Sequence, residues 1–150
     1  MSALTTYGRM IKVSHTIFSL PFALAAAVLA ARETPVTVLQ IVLIVLCVLT
    51  ARSSAMGFNR IVDRKYDAAN PRTAQREIPS GAITVRAALG FTLASAALFV
   101  LFAGLLGRLT LMLSPVVLIV IWGYSLTKRF TFLCHLVLGL ALALAPLAVW

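Results

Sequence analysis

Acidic residues are scarce in this sequence, with only four Asp and Glu among 150 residues, and charged residues of both signs make up only 11%. Hydrophobic residues account for 61%. A water-soluble domain of this length cannot bury so much apolar surface in one core, because many of its residues must still contact water. The composition therefore excludes an ordinary soluble domain and favours a protein whose solvent is the lipid bilayer.

Cysteine and histidine are equally rare, with two residues of each. Cys47 and Cys134 lie far apart inside apolar segments, without a CxxC motif or a paired histidine. We interpret them as buried, reduced thiols, which excludes a disulfide framework and a zinc-type metal site. His15 lies at the start of an apolar segment, and we interpret it as a structural residue.

The apolar residues are concentrated in five segments of roughly membrane-spanning length. They run approximately over 16–31, 36–58, 85–106, 109–126 and 132–150. In lipid every backbone polar group needs a partner within the protein, so these segments predict an all-α, polytopic transmembrane bundle. Arg9 and Lys12 before the first segment would also suit a secretory signal peptide, but Pro21 and the four further spans favour an uncleaved helix.

The formal net charge of +9 raises the question of nucleic-acid binding. The basic residues fall between the apolar segments, which is typical of a topology signal and not of a nucleic-acid-binding patch. With alternating spans, ten of the thirteen basic residues lie on one side, Arg32 and Arg108 lie on the other, and Arg52 lies within the second span. The positive-inside rule therefore predicts an inner-membrane protein whose N-terminus, 59–84 connection and 127–131 connection are cytoplasmic.

The stretch NRIVDRKYD contains an unusual polar pattern for so apolar a chain. Asn59, Asp63 and Asp67 are four residues apart, so they share one helix face if the second span continues as a helix past its apolar part. Arg52 lies within about 20° of the same stripe at 100° per residue. It falls inside the second span, where a charge normally faces the bundle interior or a polar cavity.

Two carboxylates and an amide oxygen are hard ligands that suit Mg²⁺, an ion that completes its shell with water and phosphates. Basic residues crowd the same stretch and would suit a polyanion held by the metal. They are Arg60, Arg64, Lys65, Arg72 and Arg76. The alternative is a solvated helix end with local ion pairs, such as Asp63 with Arg64 or Lys65. Three of the four acidic residues lie in this one long connection, which favours a functional site.

The other basic connection reads YSLTKRF. By default Tyr124 is an aromatic-belt residue at the membrane interface, and Lys128 and Arg129 are topology anchors. Because this connection is predicted on the same side of the membrane, these residues would also suit a second clamp on the same anion.

The segment NRIVDRKYDAANPRTAQREIPSGAIT closely resembles the first aspartate-rich motif and following loop of the UbiA-type intramembrane prenyltransferases. The resemblance covers N-x3-D-x3-D, NPRT and R-x-x-P-x-G within residues 59–84. HTIFSLPFAL, residues 15–24, looks like the first helix of the family, and residues 124–146 look like its fourth-to-fifth helix connection. The sequence is most similar to 4-hydroxybenzoate polyprenyltransferase-like members, including those of menaquinone biosynthesis.

The resemblance implies a nine-helix bundle, of which five helices are present here, with a cavity open to the cytoplasm and to lipid. It implies Mg²⁺-dependent transfer of a polyprenyl group from its diphosphate to an aromatic acid acceptor, in ubiquinone or menaquinone biosynthesis. Asn59, Asp63 and Asp67 would hold the metal, and the two aspartates are the implied catalytic residues. The implied diphosphate ligands are Lys128 and Arg129, with Arg60, Arg64, Arg72 and Arg76 as helpers. Arg52 and Tyr124 would line the cavity.

One feature departs from the family pattern. Family members have a second aspartate-rich motif, whereas the only acidic residue of this chain beyond Asp67 is Glu77. We therefore predict that these residues form the N-terminal portion of such an enzyme and are not active alone. The sequence does not specify the acceptor ring or the length of the prenyl chain.

Two other functions remain open on sequence grounds. A cation-coupled transporter or channel subunit would use the aspartate stripe as an ion site, but such sites usually lie near the bilayer midplane. A non-catalytic membrane segment is the second alternative. A CDP-alcohol phosphotransferase is disfavoured, because the opening D-G and the later G-x3-D-x3-D of that motif are absent.

Overall fold

The computed structural model describes residues 3–11, 20–33, 35–127 and 136. Within these residues the regular structure is entirely helical. The helices are α1 (Ala3–Met10), α2 (Leu20–Ala30), α3 (Val38–Ala69), α4 (Val85–Leu106) and α5 (Arg108–Thr127). The all-α prediction is therefore confirmed, while the nine-helix count of the family stays a prediction.

Helices α3, α4 and α5 are each long and apolar enough to cross a membrane. Many of their large apolar side chains point outward, for example Leu101, Leu105, Met112 and Ile119. Such a surface is stable in contact with lipid and would be unfavourable in water. The prediction of a multi-pass membrane bundle is confirmed.

The predicted spans can be compared with the helices directly. The third predicted span has the same bounds as α4, and the fourth, 109–126, lies within α5. Residues 16–19 of the first predicted span lie outside the described residues, as does the fifth span, 132–150, apart from Leu136.

Helix α3 begins at a capping box. The hydroxyl of Thr37 accepts from the Gln40 backbone N–H at 3.3 Å, and Gln40 Oε1 accepts from the Thr37 backbone N–H at 2.8 Å. The box satisfies donors at the start of the helix. From there α3 runs for 32 residues, which corresponds to about 48 Å at 1.5 Å per residue. The hydrocarbon core is about 30 Å thick, so the polar C-terminal part of α3 extends beyond it.

Helices α3 and α4 make the most extensive helix–helix contact among the described residues. The two helices are in close contact at Gly57, where an added Cβ would overlap the hydroxyl oxygen of Thr92. Ser54 and Thr92 are buried in the same contact. Small residues allow such an approach in membrane helices. The contact fixes α3, and therefore its polar end, against the rest of the bundle.

Helix α1 packs beneath the loop that joins α3 to α4. Met10 is fully buried in a cluster with Ile78, Ile83 and Ala88. Tyr7 stacks on a ring of α4, Phe91, with centroids 5.0 Å apart. The N-terminal helix and the 59–84 connection therefore lie at one end of the bundle, in agreement with their predicted placement on one side. The compartment that this end faces stays a prediction.

We predict that Gly57→Ala destabilises the bundle by about 1–3 kcal/mol, the usual range for overpacking. Alanine gains about 1 kcal/mol of helix propensity over glycine, so a net loss must come from the overlap with Thr92. Adding Thr92→Ala removes the overlapping oxygen and should recover most of the loss. Reversible unfolding in mixed detergent micelles measures these differences.

The control is Gly90→Ala, because a Cβ at Gly90 meets no atom within 4 Å. Equal stability changes at Gly57 and Gly90 would contradict the close contact between α3 and α4.

Candidate functional site

The C-terminal part of α3 carries Asn59, Asp63 and Asp67 on an uninterrupted helix. Successive members of the stripe are about 6 Å apart along the axis and rotated by about 40°. Asn59 and Asp63 are half-buried, and Asp67 is buried. The condition on which the sequence prediction depended, a helix that continues beyond residue 58, is thus met.

Asp67 forms an ion pair with the loop that follows α3. Its Oδ1 lies 2.7 Å from Arg76 Nη1, and the two side chains are 8% and 30% exposed respectively. The hydroxyl of Thr73 donates to the backbone carbonyl of Asp67 at 3.0 Å. The loop therefore folds back over the end of the helix. The second carboxylate oxygen of Asp67, Oδ2, is buried and has no hydrogen-bond partner among the described residues.

The sequence of the loop explains its path. Pro71 disfavours a helical conformation at the preceding residue, and Asn70 is extended, with φ −104° and ψ 118°. The Asn70 side-chain oxygen then accepts from the Arg72 backbone N–H at 3.0 Å, which starts a turn. Gly81 takes a positive φ of 77°, which favours glycine. These residues belong to the NPRT and R-x-x-P-x-G parts of the motif.

The four arginines predicted as diphosphate helpers are placed differently from one another. Arg60 is only 6% exposed and donates through Nε to the backbone carbonyl of Met10 at 3.3 Å. Arg64 Nη1 donates to the carbonyl of Ile61 on its own helix at 2.8 Å. Arg76 pairs with Asp67, and Arg72 is exposed. Their roles toward a diphosphate stay predictions.

An aromatic contact joins α3 to α5 between the positions of Arg52 and Asn59. Trp122 Nε1 donates to the hydroxyl oxygen of Ser54 at 3.1 Å. The Phe58 and Trp122 rings stack with centroids 5.2 Å apart and an interplanar angle of 16°. Sequence reasoning missed this contact, because a tryptophan near the membrane interface carries no signal of its partner.

The remaining predicted residues are less fully defined. Arg52 is half-buried, and its buried Nε has no hydrogen-bond partner among the described residues. Tyr124 is half-buried on α5, two residues beyond Trp122. Lys128 and Arg129 lie outside the described residues, so their proposed clamp on the anion stays a prediction.

Whether this site can bind a metal depends on the ligand atoms that its side chains offer. Within the part of the chain that is described, no group of three or more His, Cys, Asp or Glu residues is arranged to hold a metal. Asn59, Asp63 and Asp67 offer two carboxylates and one amide, which fits the partial protein shell that Mg²⁺ usually takes. The Oδ2 of Asp67 is buried and has no hydrogen-bond partner among the described residues, so a cation bound there would stabilise it.

Comparison with known proteins identifies the family of this chain. The model of the UbiA prenyltransferase family matches residues 19–150. The chain belongs to this family. The resemblance found in the aspartate-rich stretch and its loop is thereby confirmed.

Individual relatives agree with this assignment. The chain is 37% identical over 125 residues to the 4-hydroxybenzoate octaprenyltransferase of Vibrio parahaemolyticus, covering 83% of this chain and 44% of that protein. It is 42% identical over 102 residues to the 4-hydroxybenzoate octaprenyltransferase of Photobacterium profundum, covering 67% and 35%. The chain thus spans less than half the length of these two relatives.

Two solved structures share the fold. The apo structure of a UbiA homolog from Aeropyrum pernix K1 is 38% identical, with a TM-score of 0.85, and the match covers 91% of this chain and 49% of that one. A digeranylgeranylglyceryl phosphate synthase structure has a TM-score of 0.89 at 18% identity, covering 99% and 53%. At 18% identity, the similarity to the second structure concerns the fold alone.

We predict that Asp67 and Arg76 are energetically coupled. Either single change, Asp67→Asn or Arg76→Gln, leaves a charge without its partner in a partly buried site. The double variant should therefore be about 1–2 kcal/mol more stable than the sum of the single losses predicts. Unfolding free energies in mixed micelles give the coupling.

The matched control combines Asp67→Asn with Arg86→Gln instead of with Arg76→Gln. Arg86 is an exposed arginine at the start of α4, so no coupling with Asp67 is expected. If the stability losses of Asp67→Asn and Arg76→Gln simply add in the double variant, that result would contradict the ion pair.

Proposed function

We propose that this chain forms the part of a Mg²⁺-dependent polyprenyltransferase that holds the metal and the diphosphate. The substrates would be a polyprenyl diphosphate and an aromatic acid of the 4-hydroxybenzoate class, as in quinone biosynthesis. The observation that carries the proposal is the α3 stripe, whose most buried carboxylate keeps one oxygen without a hydrogen bond among the described residues. The names of the relatives, 4-hydroxybenzoate octaprenyltransferase, support the choice of substrates.

Asn59, Asp63 and Asp67 would be the protein ligands of the metal. When bound, Mg²⁺ would neutralise negative charge on the leaving diphosphate, which is the chemistry that the ion supplies. Arg76 stabilises the position of Asp67 through their 2.7 Å ion pair. The Thr73 hydrogen bond to the Asp67 carbonyl holds the loop over the same helix end.

The reaction breaks the allylic C–O bond of the prenyl diphosphate, and the bonding electrons leave with the diphosphate. A ring carbon of the acceptor forms the new bond to C1 of the prenyl chain, and the ring then loses a proton. Carbocation character at C1 is sensitive to water. The Phe58–Trp122 stack and the apolar spans would exclude water from this side of the cavity.

Arg52 would bind the acidic acceptor. Its position is seven residues before Asn59, on the same side of α3, and its buried Nε has no partner among the described residues. A guanidinium in such a place is suited to a carboxylate. We propose that the carboxylate of the aromatic acid fills this position.

A transporter function is not proposed. Asp63 and Asp67 lie near the end of a helix that is longer than the hydrocarbon core is thick, and ion-coupling carboxylates usually lie near the midplane. Membership of a prenyltransferase family also favours the transferase.

We predict that the 150-residue chain in lipid nanodiscs binds a non-reactive prenyl thiodiphosphate only when Mg²⁺ is present. Asp63→Asn should reduce the affinity by about tenfold or more, because a charged metal ligand is lost. Glu33→Gln, the same type of change near the opposite end of α3, is the control. Binding that persists in excess EDTA would contradict the proposal.

The same nanodiscs test whether the chain is active alone. With a reactive prenyl diphosphate and ring-labelled 4-hydroxybenzoate, we predict no prenylated product, because the second aspartate-rich motif of the family is not among these residues. Mg²⁺-dependent turnover would contradict this part of the proposal and leave the substrate assignment intact.

A further inference from the structure

The N-terminal helix α1 is joined to the polar part of α3 through Arg60. The Nε of Arg60 donates to the backbone carbonyl of Met10 at 3.3 Å, and Met10 is the last residue of α1. Carbonyl groups at the end of a helix lack partners within the helix, and a cation beside them is favourable. The hydrogen bond therefore attaches the end of α1 to the helix that carries the aspartate stripe.

The side chain of the same residue, Met10, joins α1 to the 70–84 loop. It is fully buried, and it belongs to one cluster with Ile78 and Ile83 of the loop and Ala88 of α4. Ile61 of α3 packs against the same cluster. A shortened side chain at position 10 would leave a cavity among these residues. Met10 therefore contacts α3 through its backbone and the loop through its side chain.

The loop also contacts α3 directly. Arg76, two residues before Ile78, forms the 2.7 Å ion pair with Asp67. Arg60 and Asp67 are seven residues apart on α3, so they point in directions within about 20° of each other, and both are buried. The contacts thus form a closed ring, from α3 to α1 at Arg60, from α1 to the loop at Met10, and from the loop back to α3 at Arg76. Met10 takes part in two of these three contacts.

Helix α1 depends on these contacts for its own helical form. It has eight residues, and isolated helices shorter than about 12 residues are marginal in water. Its other anchor is Tyr7, whose ring stacks on Phe91 of α4 with centroids 5.0 Å apart. Tyr7 and Met10 are three residues apart, so they share a face of α1, and Tyr7 packs against the same cluster. We therefore expect the docking of α1 and the order of the loop to depend on each other.

We propose that α1 is a strap that holds the 70–84 loop against α3, and that Met10 is a positioning residue for the metal site. Met10 acts through the loop: it keeps Arg76 beside Asp67, and Arg76 keeps the Asp67 carboxylate in place for a cation. The role toward the metal rests on the proposed function, whereas the strap concerns the loop alone.

The strap is tested by the EPR mobility of a nitroxide label on the loop, in the 150-residue chain in nanodiscs. The label is attached at Ala82→Cys, because Ala82 is exposed in the loop, and Cys47 and Cys134 are replaced by alanine. A second label at Leu109→Cys reports on the start of α5, where Leu109 is exposed.

Two substitutions release α1 at different residues. Met10→Ala removes the buried contact with the loop, and Tyr7→Ala removes the stack on Phe91. Both should make the label at position 82 more mobile and leave the label at position 109 unchanged. Met10→Leu, a swap of similar volume that cores tolerate, and Tyr7→Phe, which keeps the ring, should leave both labels as in the wild type.

The positioning role is tested by Mn²⁺ binding to the unlabelled chain, measured by the loss of the free-ion EPR signal without any prenyl substrate. Met10→Ala and Tyr7→Ala should each weaken binding by about tenfold, as changes behind metal ligands usually do. Met10→Leu should bind within about threefold of the wild type, because it refills the site. The control is Leu43→Ala, a truncation of similar size at a buried residue near the start of α3, which should change neither binding nor loop mobility.

Three results would overturn the proposal and leave the proposed function standing. The first is an unchanged loop label in Met10→Ala and Tyr7→Ala. The second is a mobile loop with unchanged Mn²⁺ binding. The third is equal weakening by Leu43→Ala, which would indicate a general loss of stability. If Met10→Ala fails to fold, the contrast between Tyr7→Ala and Tyr7→Phe decides the question.

The proposed function can fail separately. Mn²⁺ binding that is absent in the wild type, or insensitive to Asp63→Asn, would overturn the proposed function together with the positioning role of Met10. The mobility of the label at position 82 would still decide whether α1 holds the loop.

Discussion

The ion pair between Asp67 and Arg76 is the interaction on which the rest of the site depends. It joins the last polar residue of the stripe to the loop that follows α3. Beyond Arg76, Ile78 and Ile83 of the same loop pack in a cluster with Met10, the last residue of α1. The same pair uses only one oxygen of Asp67, and the other oxygen is buried with no hydrogen-bond partner among the described residues. In the proposed function, structural support and cation binding would be divided between two atoms of one carboxylate.

Membrane geometry explains why the polar residues are tolerated here. Helix α3 is about 18 Å longer than the hydrocarbon core, so its apolar part spans the bilayer while its charged part extends beyond it. The close contact at Gly57 fixes the boundary between these two parts against α4. The Ser54–Trp122 hydrogen bond ties α5 to α3 near the same level. A charged site can therefore lie directly beside apolar spans without exposing its charges to lipid.

Hydropathy and spacing made much of the fold and of the stripe predictable. Hydropathy alone decides which segments cross a membrane, and the third predicted span has the bounds of α4. The four-residue spacing of Asn59, Asp63 and Asp67 required a common helix face once α3 continued. The motif around these three residues also indicated the family, because its N-x3-D-x3-D, NPRT and R-x-x-P-x-G parts occur together in one short stretch.

Other features could not be predicted, because they depend on contacts between distant residues. Arg60 meets the Met10 carbonyl 50 positions away, and Trp122 meets Ser54 68 positions away. The helical form of α1 and its place beneath the loop left no clear sequence signal. The sequence does not distinguish the four arginines that were predicted to help bind the diphosphate, but each of them has different surroundings in the structure.

In the proposed function, the α3 carboxylates hold a divalent ion against a diphosphate. Pulsed ENDOR on the chain loaded with Mn²⁺ and a prenyl thiodiphosphate tests this directly, because ³¹P coupling to the metal reports phosphate in the inner coordination sphere. We expect a protein-dependent ³¹P coupling that disappears in the Asp63→Asn, Asp67→Asn double variant and persists in Glu33→Gln. An unchanged coupling in the double variant would contradict the assignment of these carboxylates as metal ligands.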